Sequence, residues 1–296
     1  DGSSPLLAVT LAAAAAGAGA EATLAFIPPW EEGPAQFPKP ISKAMAGADA
    51  VFLLLGGRAK DFEAIQEALR ADRRLIDISG LTDELASGGC LEVDFQSQGR
   101  LLEEFSERLS SAEALSLSNP AGTAMTMSLR GKEPFANTGL ASPGKLLSLP
   151  DLRVGICPVK GTAEGELLVD GSIPSLGLRI LAEPPHLKVQ KGFLREPREG
   201  REPGEESSIP EKLKEILEEG ELEISFLSFG FNPCSPVPLG SAPYDLGVMG
   251  SSCLAFSRPG EGEPSLLFVL LRVSLEVDGE VLLAGGRPKF LRGERP

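Results

Sequence analysis

Apolar positions in the first part of the chain recur at two spacings. Phe62, Ile65, Ala68 and Leu69 lie on one helical face within residues 60–71, and Leu101, Leu102, Phe105 and Leu109 form a matching stripe within 101–109. Side chains three or four apart share a helix face, so both segments are expected to be amphipathic helices. Short apolar runs at residues 22–27, 50–55, 75–78 and 114–117 are expected strands. Pro28-Pro29 closes the first of these, because proline cannot continue a ladder. A short helix is expected over 41–47. Residues 6–20 are apolar and Ala-rich and imitate a signal peptide, but no basic segment precedes them. Ser3 or Ser4 followed by Pro5 reads as a helix start, with Gly17 or Gly19 as its end. Helix and strand alternating in this way predict an open, Rossmann-like α/β domain over residues 1–118.

After Asn119 the pattern changes to short β-rich runs broken by Gly and Pro, which predicts a β-rich α+β domain over residues 119–296. Strands are expected at 125–129, 152–157, 165–169, 187–189, 222–229, 253–256, 266–275 and 281–283. Asp278-Gly279, just before the last, is a tight-turn signal. Residues 195–208, rich in Arg, Glu, Pro and Gly, read as a solvated loop. A helix over 209–219 is expected to bury Leu213, Ile216 and Leu217.

The length of 296 residues and a hydrophobic content of 42% are enough for two buried cores. A net charge of -14 argues against nucleic acid as a partner, since phosphate contacts need clustered Lys and Arg. No apolar run is long enough for a membrane span. Four cysteines without CxxC spacing read as reduced thiols, which places the protein in the cytoplasm. Cys157 and Cys253 lie in apolar strand runs and are expected to pack as small hydrophobes.

The candidate chemistry is narrow. Gly17-x-Gly19-x-x-Ala22 has the spacing of a dinucleotide fingerprint, but it follows a helix and precedes a strand, the reverse of the working context. His186, the one histidine, follows two prolines and reads as an exposed loop residue. It is the only imidazole available to a Ser-His-Asp or Cys-His mechanism, and no Gly-x-Ser-x-Gly elbow accompanies it. Residues 161–172 alternate Gly with Glu164, Glu166 and Asp170. Two readings stand for them: carboxylates at a domain cleft, acting as proton donor and acceptor, or a hairpin with polar outward positions turning at Asp170-Gly171. Asn119, Thr123 and Asn232 either orient a ligand or start turns. An all-oxygen Mg²⁺ or Ca²⁺ site from Glu164, Glu166, Asp170 or Asp245 is a further alternative.

Three segments carry a more specific signal: residues 119–129 (NPAGTAMTMSL), 158–173 (PVKGTAEGELLVDGSI) and 229–233 (FGFNP). With ADAVFLL at 48–54 and RLIDISGLTDEL at 74–85, they resemble the aminopeptidase T and 2,5-dihydroxypyridine dioxygenase-like family. That resemblance implies a leading strand ahead of Asp1 and a homo-oligomer assembled through second domains. It also implies a metal held by carboxylates and histidines from separate strands. The positions that match those ligands fall near Arg153, at Asp245 with Leu246 beside it, at Cys253, and near Ser265 and Leu267. A cation, a thiol and aliphatic side chains thus stand where ligands are expected, and one histidine cannot supply a two-His iron site. No metal and no cofactor is therefore expected. The leading expectation is a degenerate family member that binds a small molecule or peptide in the interdomain cleft, with Asn119, Thr123, Arg153, Glu164, Glu166, Asp170, Asn232, Asp245 and Cys253 as candidate binding residues. The alternative is an active aminopeptidase or ring-cleaving dioxygenase that uses zinc, cobalt or iron through non-standard ligands.

Overall fold

A computed structural model of the protein describes residues 5–27, 37–55, 62–196, 209–261 and 264–290. In chain order the elements begin with α1 (Pro5–Gly17), α2 (Lys39–Gly47), β1 (Ala50–Leu53), α3 (Glu63–Arg70), β2 (Arg74–Asp77), α4 (Asp83–Ser87) and α5 (Phe95–Ser110). There follow β3 (Ala114–Ser118), β4 (Ala124–Ser128), β5 (Phe135–Asn137), β6 (Leu146–Ser148), β7 (Arg153–Ile156) and β8 (Glu164–Leu168). The chain then forms β9 (His186–Gln190), β10 (Phe193–Arg195), α6 (Glu211–Glu218), β11 (Glu223–Gly230), α7 (Ala242–Asp245) and β12 (Ser252–Ser257). It ends with β13 (Leu266–Leu270), β14 (Ser274–Val277), β15 (Glu280–Ala284) and β16 (Arg287–Pro288).

The molecule is α/β and divides into two compact units, residues 1–92 with 139–150 and residues 93–138 with 151–296. This division differs from a single break at 118/119. The helix α5 belongs to the second unit because Phe105 docks edge-on against Phe229 and Phe231, with ring centroids 5.4 and 4.9 Å away. Residues 139–150 return to the first unit because β6 pairs with β2 there.

In the first unit β1, β2 and β6 form a parallel sheet with β2 central. Parallel strands need a crossover, and α3 supplies it between β1 and β2. Its apolar face is the expected one: Phe62, Ile65 and Ala68 are buried and pack with Phe37, Met45, Leu53 and Leu75. Residues 22–27, expected as a strand, carry no regular structure, and Leu24 and Phe26 are exposed. Apolar content alone cannot supply a ladder partner. The Ala-rich segment is helical as expected, but it buries only Leu7 and Ala8 and leaves Leu6 and Val9 in solvent. Ser3 and Ser4 lie outside the described residues.

The second unit is built on one large sheet ordered β13-β12-β11-β10-β9-β8-β4-β3-β14-β15-β16, with β7 pairing both β11 and β5. The expected strand over 266–275 is two strands, β13 and β14, interrupted by Arg272 at a φ of 49°. Asp278 and Gly279 both take positive φ and turn β14 into β15, with Val277 paired to Glu280. The Asp278 carboxylate also accepts hydrogen bonds from the backbone N–H groups of Glu113 and Ala114. Arg195 is the last residue of β10 rather than the start of a loop, while residues 197–208 lie outside the described residues. Asp94 caps α5 by accepting from the Ser97 N–H at 3.1 Å. Cys157, expected to be packed, is exposed because β7 ends one residue earlier and turns it outward. No helix among the described residues is long and apolar enough to cross a membrane.

Phe105 is the anchor of α5 on the sheet, fully buried among Phe229, Phe231 and Phe290. Phe105→Ala is expected to destabilise the second unit by about 3–5 kcal/mol, read as a shift in the urea denaturation midpoint.

Candidate functional site

Strand geometry sorts β7, β11 and β12 into two faces. Directly paired residues share a face and residues two apart repeat it. The register places Gly155 opposite Ser228, Ser228 opposite Cys253, Cys253 opposite Val269, and Arg153 opposite Gly230. Arg153, Phe226, Ser228 and Cys253 therefore stand on one face. Val154, Leu227, Phe229 and Leu254 stand on the other, the face that carries Phe229 to α5. Phe135 pairs with Gly155 and lies across it. A Cβ at Gly155 would meet the Phe135 ring at 2.3 Å, so only glycine lets that ring settle on the strand.

The polar face is a buried charge cluster. Arg153 Nε lies 3.2 Å from Asp151 Oδ2, with the two side chains 19% and 3% exposed. The pair lacks hydrogen-bond alignment, and Arg153 Nη1 and Asp151 Oδ1 have no hydrogen-bond partner among the described residues. The Ser228 hydroxyl is fully buried on the same face and likewise has no partner. The Arg153 guanidinium sits 5.6 Å from the Phe135 ring centroid and 5.8 Å from that of Phe226. Burial pushes the Asp151 carboxyl up to about 6, against the pull of Arg153. Burial also pushes the Cys253 thiol up to about 12; Arg153 opposes this, while Asp151 and Asp245 add to it.

Asp245 serves a different purpose. Its carboxylate accepts from the buried Ser172 hydroxyl at 2.6 Å and from the part-buried N–H groups of Leu239 and Gly240 at 2.6 and 2.8 Å. It ties the 172 segment and the 239–240 turn to α7.

Asn119, Thr123 and Asp170 form a second structural lock. Asn119 Nδ2 donates to Asp170 Oδ1 at 2.9 Å, and its Oδ1 accepts from the Thr123 N–H. The Thr123 hydroxyl donates to the Leu168 carbonyl and accepts from the Leu168 N–H. Asp170 Oδ1 also accepts from the Leu271 N–H, and burial raises the acid's pKa. Asp170-Gly171 is therefore not a hairpin turn; Gly171 donates its N–H to the Val269 carbonyl beside β13. Asn232 caps its own turn by accepting from the Cys234 N–H.

Glu164 and Glu166 lie toward the solvent side of the sheet. Glu164 accepts from the Lys191 N–H, and Glu166 Oε2 is 2.8 Å from His186 Nε2 across the strands. His186 opens β9 rather than ending a loop, and it is exposed. Glu164 also borders an open groove of about 400 Å³ whose titratable lining groups, Glu164 and Glu276, are both exposed. Among the described residues no three His, Cys, Asp or Glu side chains converge closely enough to hold a metal ion.

Of the expected residues, then, Arg153 and Cys253 meet in the cluster, with Asp245 near them. Asp151, Ser228, Phe135 and Phe226 were missed. Asp151 had a signal, an acidic residue directly after the proline that precedes a strand. Ser228 and the two rings had none, because they reach the site only through strand pairing.

The fold has known counterparts. The chain is similar to 2,5-dihydroxypyridine dioxygenase from Pseudomonas putida KT2440, with a TM-score of 0.64 and 19% identity over 86% of this chain and 75% of that one. It is also similar to AmpT from Thermus thermophilus, with a TM-score of 0.56 and 15% identity over 84% and 79%. No protein-family model matches the chain, and no curated protein does. At these identities the likeness is one of fold.

Asp151 generates a pH prediction. Its folded value of about 6 lies above the ordinary 3.8, so the folded chain holds this proton more tightly than the unfolded chain does. Stability from this group is therefore greatest below about pH 4 and falls by about 3 kcal/mol as pH rises through about 6. Asp151→Asn is expected to remove that decline, read as the difference between urea denaturation free energies at about pH 4 and pH 7 in the two proteins.

Proposed function

We propose that the chain is a metal-free member of the fold shared with aminopeptidase T and 2,5-dihydroxypyridine dioxygenase, and that it binds a small molecule at the Asp151, Arg153, Ser228 and Cys253 cluster. The observation that carries this reading is the Arg153 guanidinium, 19% exposed and with its buried Nη1 unpartnered among the described residues, on a face that the resemblance assigns to metal ligands. A divalent cation there meets a fixed positive charge in a low-dielectric setting, where repulsion is poorly screened. The other donors do not compensate. Cys253 is a single fully buried thiol and offers at most one ligand. The Asp245 oxygens already accept three hydrogen bonds, and one Asp151 oxygen faces Arg153. Three protein ligands, the usual minimum for a catalytic zinc, are not assembled from this set.

Cys90, Cys157, Cys234 and Cys253 form no disulfide, which supports a reducing compartment such as the cytoplasm. Self-association through the second unit belongs to the same reading, and the exposed Ile180, Val237 and Val281 are apolar surface there that a second copy would cover.

Elemental analysis of the purified full chain tests the proposal, together with assays on aminoacyl amides and dihydroxypyridines in added Zn²⁺, Co²⁺ or Fe²⁺. Less than a tenth of an equivalent of metal and no metal-dependent turnover are expected, on the order of what non-specific surface binding leaves behind. One tightly held equivalent accompanied by turnover overturns it.

A further inference from the structure

We infer that the ligand of this cluster is a flat aromatic molecule bearing a single carboxylate, with the anion received by Arg153 and Ser228 and the ring received against Phe135 and Phe226. The inference rests on the small-molecule reading above and adds the chemistry of the ligand.

The anion follows from the donors. Arg153 Nη1 is buried without a hydrogen-bond partner among the described residues, and its Nε faces Asp151 without hydrogen-bond alignment. A guanidinium edge presents two parallel N–H groups at the spacing of two carboxylate oxygens. The Ser228 hydroxyl, fully buried and unpartnered on the same sheet face, supplies a further donor. Unmet donors buried together are costly, and an incoming anion satisfies them at once.

The single charge follows from Asp151. One carboxylate already stands beside Arg153, so a dianion such as a phosphate monoester meets about twice the repulsion that a monoanion does. The flat ring follows from the aromatic corner. Phe135 and Phe226 meet edge to face with centroids 6.0 Å apart, and both flank the guanidinium. Phe135 is 40% exposed, so its ring borders solvent next to the buried charges. A planar ligand carrying its charge at one end can stack on that ring while its carboxylate reaches inward.

Titration of the full chain with benzoate, benzamide and acetate by calorimetry tests this. Benzamide keeps the ring without the charge, and acetate keeps the charge without the ring. Benzoate is expected to bind, with the other two weaker by at least about tenfold, the scale of one charge-assisted contact or one ring contact. Arg153→Met is expected to weaken benzoate by about 10- to 100-fold, with Arg153→Lys and Phe135→Leu intermediate. Circular dichroism and melting confirm that each variant folds; if Arg153→Met does not, Arg153→Lys and Ser228→Ala carry the comparison. Absence of saturable benzoate binding shows a purely structural ion pair and overturns the inference. So does equal binding of benzoate and benzamide, or benzoate binding unchanged in every folded variant. Arginine-dependent benzamide binding would sink the carboxylate while leaving a small-molecule site, whereas a stoichiometric metal would sink the reading beneath it.

Discussion

The alternation of side chains along β11 is the constraint on which the second unit depends. This strand pairs with β12 along one edge and with β10 and then β7 along the other, so it has no free edge over most of its length. Both of its faces are covered as well. Leu227 and Phe229 point to one side, where Phe229 meets Phe105 and fixes α5. Phe226 and Ser228 point to the other, where Phe226 meets Arg153 and Phe135. A register slip of one residue would exchange these sets, driving Phe229 into the charge cluster and Ser228 into the aromatic core. The apolar packing of one face therefore fixes the position of the polar groups on the other.

That arrangement makes the polar face unusual in energetic terms. Buried ionisable groups cost stability unless their hydrogen-bonding capacity is met. Asp245 meets this requirement, with donors on both oxygens; Asp170 gathers its donors on Oδ1 alone, and its Oδ2 has no hydrogen-bond partner among the described residues. The Asp151 and Arg153 pair does not meet it, since a carboxylate oxygen and a guanidinium nitrogen remain without hydrogen-bond partners. What sets Asp151 apart from these two ties is the partly satisfied guanidinium beside it. The glycine at 155 belongs with that pair, because its missing side chain is what lets Phe135 form the wall beside the charges.

The sequence by itself determined the α/β class, the amphipathic faces of α3 and α5 and the turn at Asp278-Gly279, because each depends on neighbours within a few positions in the chain. It did not determine the division into units, which follows from Phe105 docking on β11 and from β6 pairing with β2. Nor did it separate the strand-like run at residues 22–27, which finds no ladder partner, from runs of similar composition that do. The roles of Glu164, Asp170 and Asp245 were equally undecided, since an acidic residue near a glycine looks the same whether it faces solvent or ties two turns together. Only the tertiary structure brought Ser228, Phe135 and Phe226 to Arg153, residues as far as about ninety positions apart in sequence, because strand pairing acts through space and local spacing carries no record of it.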